Sequence, residues 1–239
     1  MTHTRTRLVA AVLTVLAAFT AAPACATVTR TPPPTPAVAT PAAATPAAAA
    51  TPSAAPSEES GPTGARTRLA ALTVAAPHPM TGFSRDLFPH WATVSGRCDA
   101  REIVLIRDGR DVVTDDQCRV VAGVWESPYD SKLTASSEQI DIDHLVSLGS
   151  AWRAGADLWP EATRREFAND LRHHQLIAVS ASSNRAKRDS GPEKWQPVEA
   201  FRCRYAIYWI DVKFDYGLST TPEEKNALTG MLASCPQRR

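Results

Sequence analysis

Gln139-Ile140-Asp141-Ile142-Asp143-His144-Leu145-Val146 alternates apolar and polar residues up to an acidic residue and a histidine. Period-two alternation belongs to a half-buried strand, so this stretch reads as a strand whose polar members gather toward one end. Alternation puts Asp141 and Asp143 on one face and His144 on the other, so Asp143 and His144 reach a common point only if the strand bends or bulges. Carboxylates with no nearby Lys or Arg in the sequence repel each other unless a cation or solvent offsets the charge, and hard cations take oxygen ligands. From these residues alone, a metal site and a solvated strand end capped by His144 both remain open.

Some 30 residues on, Gln175-Leu176-Ile177-Ala178-Val179 reads as a second short strand. It runs through Ser180-Ala181-Ser182-Ser183 into Asn184-Arg185-Ala186-Lys187-Arg188-Asp189, and serines ahead of such a run are helix N-caps. The order is strand, strand, helix. Upstream, Ile103-Val104-Leu105-Ile106 reads as a β-branched strand, Asp108-Gly109 as a turn and Val112-Val113-Thr114 as the return strand of a hairpin flanked by Cys98 and Cys118. A helix is expected from Pro160 to Arg172, with the adjacent His173 and His174 as cations at its C-terminus. Downstream, Val198, Phe201, Tyr205, Tyr208, Trp209, Val212 and Tyr216 recur at helical spacing, and their period suits a packed core face better than a base-stacking platform. Thr221-Pro222-Glu223-Glu224 supplies an N-cap, a first-turn proline and a capping-box Glu for a final helix. Leu228, Met231, Leu232 and Cys235 form its apolar stripe. The fold class is α+β, closed by two helices.

The rest of the 239 residues sort by composition. Residues 1–26 carry Arg5 and Arg7, an apolar run from Leu8 to Phe19 and small-x-small patterns around Ala24 and Ala26, which predict a signal peptide. The run is too short to span a membrane. Residues 27–66 predict a disordered linker: between 27 and 56 stand 11 Ala, 8 Pro and 7 Thr, a mixture with almost nothing to bury. The folded domain is expected over 67–239, large enough for one core. It is nearly neutral, which excludes a globally basic nucleic-acid clamp. Residues 99–143 nevertheless hold 11 acids and 5 bases, and 164–204 hold 9 bases and 5 acids, so a polyanion meets the second stretch first.

An exported chain with four cysteines in its domain is expected to form disulfides. Three pairings of Cys98, Cys118, Cys203 and Cys235 are open, and local bracketing favours Cys98 with Cys118 and Cys203 with Cys235. Cys25 is either removed with the signal or lipidated, which would leave the protein tethered at the cell surface. The sequence contains no G-x-S-x-G elbow, Walker loop or Rossmann glycine pattern.

One resemblance draws these parts together. Asp143-His144-Leu145-Val146 with Leu148 and Ala151-Trp152, then Asn169-Asp170, Leu176 to Val179, Asn184-Arg185-x-Lys187, Asp189, Pro192, Trp195 and Pro197, resembles the bacterial secreted HNH endonuclease family, built on a ββα-metal finger. The likeness extends upstream through Phe83-Ser84-Arg85, Trp91 and Cys98-x-x-Arg101-Glu102, and downstream to Cys235. It implies a secreted, metal-dependent endonuclease that hydrolyses phosphodiester bonds of DNA, and of RNA as a second substrate, with little sequence preference. It also implies His144 as general base, Asp143 and Asn184 as ligands of magnesium, or of manganese as the second choice, Lys187 on a phosphate oxygen and Gln175 orienting the histidine. Arg101 and Arg185 become phosphate contacts. A monomer without a membrane span in the mature chain is expected. Two departures stand out: Ser147 replaces a common Pro, and Arg188 replaces a common Gly. The alternative is a wall-associated module that keeps the fold, binds nucleic acid or a surface, and has lost catalysis.

Overall fold

The structure, a computed structural model, describes residues 60–236, so the signal peptide, most of the linker and Cys25 lie outside it. The first element is helix α1 (Pro62–Ala71). It begins inside the stretch expected to be linker, which therefore ends before residue 62. Ala65 and Leu69 are buried in the core, and Ser60 Oγ donates to Asp211 Oδ1 at 2.5 Å.

A short ribbon, β1 (Thr93–Ser95) with β2 (Cys98–Asp99), leads into α2 (Ala100–Asp108). Helix α2 replaces the first strand of the expected hairpin. The Asp99 carboxylate caps the Glu102 N–H at 2.9 Å. The apolar positions Ala100, Val104 and Leu105 fall on one helical face, packed on Ile140, Ile142, Leu176 and Ala178. A cap and a matching apolar surface outweigh the weak strand preference of four apolar residues. The hairpin exists one element later, as β3 (Arg110–Thr114) with β4 (Val120–Glu126), and β5 (Leu133–Thr134) adds to its far side.

The functional stretches form their own antiparallel pair, β6 (Ile140–His144) with β7 (Leu176–Ser180), in unbroken register from Ile140 opposite Ser180 to His144 opposite Leu176. Between them run α3 (Leu148–Arg153) and α4 (Glu161–Ala168), and β7 continues into α5 (Ala181–Lys187) through the Ser180 hydroxyl, which accepts from the Ser183 N–H. The outer edge of β7 is covered by α2: Arg107 donates to the Leu176 carbonyl at 2.6 Å, and the Ala178 N–H donates to Asp108 at 2.9 Å. Covering that edge prevents stray pairing. Ser147, at the first departure from the family pattern, caps α3 by accepting from the Ser150 N–H at 3.1 Å. His173 and His174 lie past the end of α4 and do not cap it. Instead His173 Nδ1 contacts Asp170 and His174 stacks on Tyr208.

Helices α6 (Glu199–Asp215) and α7 (Pro222–Ala233) close the larger core, with Tyr205, Trp209, Ile210, Val212 and Leu228 fully buried. The aromatic stripe is core, as its period predicts. Disulfides join Cys98 to Cys118 and Cys203 to Cys235, across 20 and 32 residues of chain. Loops of that size correspond to about 3–4 kcal/mol of unfolded-state entropy per bridge. Among the described residues no helix is long and apolar enough to cross a membrane.

Candidate active site

His144 ends β6, and its ring is held on three sides. Nε2 lies 2.9 Å from the Ala168 carbonyl at the end of α4, Trp91 stacks on the ring at 5.6 Å between centroids, and His90 meets it edge-on at 5.8 Å. A carbonyl only accepts, so Nε2 carries the proton and Nδ1 keeps its lone pair. Burial pulls the His144 pKa down to about 3, partly offset by the Ala168 carbonyl. The ring is neutral at neutral pH.

Gln175 grips the chain immediately after the histidine. Its Oε1 accepts from the Val146 N–H at 3.1 Å, its Nε2 donates to the Val146 carbonyl at 2.8 Å, and its own carbonyl accepts from the Leu145 N–H at 2.7 Å. With no exposed surface, Gln175 fixes the turn that follows His144 through backbone contacts.

Asp143 points into a buried polar cluster. Tyr129 donates its phenolic proton to Oδ2 at 2.6 Å, and Lys187 Nζ lies 2.8 Å from Oδ2 and 3.1 Å from Oδ1. The same ammonium donates to the His144 carbonyl at 3.0 Å. Burial raises the Asp143 pKa, and the Lys187 charge works against that rise. Lys187 is fully buried. This corrects its expected place on a substrate phosphate: its donors are turned inward, onto Asp143 and the backbone of His144.

Asn184, on α5, donates Nδ2 to Asp141 at 3.0 Å. A carboxylate oxygen accepts only, so this bond sets the amide orientation and leaves Oδ1 as the acceptor end. Asp141 thus acts on the site by orienting Asn184. Asp143, His144 and Asn184 border one cavity of about 190 Å3, with Arg85, Arg188 and Asp189 also in its wall. No bulge is needed to bring both faces of β6 there. Among the described residues strand β6 pairs with β7 alone, in unbroken register, and residues from both of its faces border the cavity.

The donor types are ones a hard divalent cation takes, a buried carboxylate and an amide oxygen, although Lys187 and Tyr129 already bind the Asp143 oxygens. Among the described residues no group of three or more His, Cys, Asp or Glu is arranged to hold a metal.

Two of the expected phosphate contacts are not at this cavity. Arg101 pairs with Glu102 at 2.5 Å in the first turn of α2, and Arg185 borders a separate depression beside Lys132 and Ser182. The arginines that line this cavity are Arg85 and Arg188. Tyr129, His90 and the Ala168 carbonyl are further site groups that sequence reading did not single out. Their positions depend on chain crossings, and no local pattern marks them.

Residues 104–231 match the family described as GmrSD restriction endonucleases, C-terminal domain. The chain is also 48% identical over 172 residues to an "Uncharacterized secreted protein" of Arthroderma benhamiae (strain ATCC MYA-4681 / CBS 112371), covering 72% of this chain and 84% of that one. That relative is fungal, whereas the resemblance read from the motifs points to bacterial proteins. No solved structure matches. Asp143, His144, Gln175, Asn184 and Lys187 lie inside the family span, and Arg85, His90 and Trp91 lie upstream of it.

Proposed function

The chain belongs to the GmrSD restriction endonuclease C-terminal domain family, and from that premise we propose that it is a secreted, metal-dependent endonuclease of the HNH type. Its substrate is DNA, with RNA as a second substrate, cut with little sequence preference. The observation that carries this reading is the oriented histidine. The Ala168 carbonyl holds Nε2–H, which directs the Nδ1 lone pair of a neutral imidazole to serve as base beside an oxygen donor pair.

In this reading His144 Nδ1 takes the proton of an attacking water, whose oxygen forms the new bond to phosphorus as the bond to the departing sugar oxygen breaks. The Ala168 carbonyl stabilises the imidazolium that forms, and Gln175 keeps the ring in place through Val146. Asp143 and Asn184 would hold magnesium, or manganese, which when bound offsets negative charge on the phosphate and on the leaving oxygen. Lys187 and Tyr129 hold the Asp143 carboxylate, and Asp141 orients Asn184. Secretion is supported by the two disulfides and by the fungal relative, which is described as a secreted protein.

The test is cleavage of supercoiled plasmid by the full chain, disulfides intact, with magnesium, with EDTA, and for His144→Ala prepared identically. Metal-dependent nicking that falls by about 10²–10⁴-fold in the variant is expected for loss of a general base. Equal cleavage by His144→Ala contradicts the assignment.

A further inference from the structure

Most arginines of the described region are engaged. Arg68, Arg101, Arg107, Arg119 and Arg172 pair with carboxylates, and Arg153 and Arg164 donate to carbonyls. Arg85, Arg165, Arg185, Arg188 and Arg204 are not engaged in this way, and among these five Arg85 and Arg188 are set apart by their place. Both are exposed and both border the cavity of Asp143, His144 and Asn184, yet among the described residues neither guanidinium has a hydrogen-bond or ion-pair partner. Asp189, also in the wall, does not pair with them. Its carboxyl packs over Gly149, where a Cβ would come within 2.8 Å of Cγ.

Neither arginine hangs on a loose segment. Ser84 caps the 3-10 turn Arg85–Leu87, Arg164 donates to the Leu87 carbonyl at 2.9 Å, and Asn169 binds the Pro89 carbonyl and the Ala92 N–H, each at 2.7 Å. The segment that brings His90 and Trp91 onto the His144 ring therefore also fixes the backbone of Arg85. Arg188 follows α5 at φ 53°, ψ −135°, a conformation comfortable for glycine and strained for any residue with a side chain. Asp111, Cys118 and Ser131 also take positive φ, but of these four non-glycine residues Arg188 alone lines this cavity, which draws attention to its side chain. The cavity, about 190 Å3, is smaller than the roughly 300 Å3 at which small-molecule pockets begin. It suits a phosphate with solvent and is too small for a whole nucleotide.

We propose that Arg85 and Arg188 form a phosphate clamp, two guanidinium groups that grip non-bridging oxygens of the phosphodiester entering the cavity. The proposal rests on the nuclease reading and extends it: Arg85 comes from outside residues 104–231, so the upstream segment is part of the substrate site. Arginine suits the task because its planar fork matches phosphate oxygens. The two charges are substrate contacts, whereas Lys187, turned inward, is not.

The experiment uses the full chain with disulfides intact, as wild type, Arg85→Ala, Arg188→Gly and Arg185→Ala, the last being a control on α5 outside the cavity. Three quantities are measured: plasmid cleavage in magnesium, binding of a fluorescent single-stranded oligonucleotide in EDTA over a range of KCl, and thermal melting. Arg85→Ala and Arg188→Gly should each lower kcat/KM about tenfold or more. Each should also reduce the slope of log affinity against log salt by about 0.7, one phosphate contact on a single strand. Arg188→Gly should melt at or above the wild-type temperature, since glycine relieves the positive φ. Arg185→Ala should match wild type in all three. If wild type cleaves and the two clamp variants keep its cleavage and salt slope, the clamp is overturned and the nuclease reading stands. If wild type cuts nothing while the two variants lose oligonucleotide binding, the nuclease reading falls and the phosphate site stands.

Discussion

Among the described residues stand two buried lysine–carboxylate pairs of nearly the same construction. In one, Lys187 meets Asp143 while Tyr129 donates its hydroxyl to the same carboxylate. In the other, Lys213 meets Glu224 while Trp209 donates Nε1 to that carboxylate at 2.5 Å. Each lysine has a remaining donor on a carbonyl, His144 in the first case and Ser219 in the second. Burial depresses the Lys213 pKa, against the pull of Glu224. The difference lies in what stands beside the carboxylate. Asp143 is next to His144 and shares a cavity with Asn184, whereas Glu224 sits at the start of α7 and ties that helix to α6. A buried ion pair alone therefore marks neither a site nor a strut; the neighbouring imidazole and amide oxygen make the distinction.

The largest effect expected is catalytic. Asp143→Asn should lower plasmid cleavage by at least about 10²-fold, the scale of losing a group that acts directly on the reaction. Glu224→Gln should leave turnover per folded molecule within about twofold. Equal losses in the two variants would erase the distinction. Next in size is stability. Removing one partner of either pair leaves an uncompensated buried charge, so denaturant titration should show a loss of about 3–5 kcal/mol for Lys187→Met and for Lys213→Met alike. Pairing each with an apolar replacement of its carboxylate, Asp143→Leu or Glu224→Leu, should recover much of that loss. Cleavage should return only in the Lys213/Glu224 double variant.

A third prediction concerns pH. Burial lowers the pKa of His144 to about 3 and that of His174 to about 4, both from 6.5. Between those values and 6.5 the unfolded chain binds more protons than the folded one, so these histidines cost nothing above about pH 6.5 and destabilise the fold progressively as pH falls below it. Denaturant midpoints measured from pH 8 to pH 4 should decline below about 6.5, and His174→Phe should decline less steeply. The smallest effect expected is none: Arg101→Ala should cleave within about twofold of wild type, because that guanidinium is engaged by Glu102 away from the cavity.

What the sequence disclosed follows the range of the forces involved. Strands β6 and β7, the Ser180 cap, the α6 stripe and the Thr221 cap each declare themselves within a few residues, through period or through hydrogen bonds to nearby N–H groups. The gathering of Asp143, His144 and Asn184 at one cavity follows from their places in one strand–strand–helix unit, while Gln175, expected on the second strand, stands just before β7 and binds the backbone of Val146. Helix α2 was misread because Ile103 to Ile106 is a short apolar run that suits either state, and the decision came from Asp99 and from the distant surface of Ile140, Ile142, Leu176 and Ala178. The inward turn of Lys187 was hidden for a similar reason. A lysine one turn past Asn184 looks exposed until Tyr129 and Asp143 are folded against it. Arg85 and His90 enter through a segment far upstream, held by Asn169 and Arg164, and no spacing rule links them to His144.

In the proposed reaction His144 Nδ1 is the base. The most direct test is cleavage by His144→Gly in magnesium with increasing imidazole, beside wild type and Asn184→Ala under the same conditions. Imidazole should restore measurable nicking to His144→Gly in proportion to its concentration and leave Asn184→Ala unimproved. Wild-type cleavage by His144→Gly without imidazole would contradict the assignment of the base.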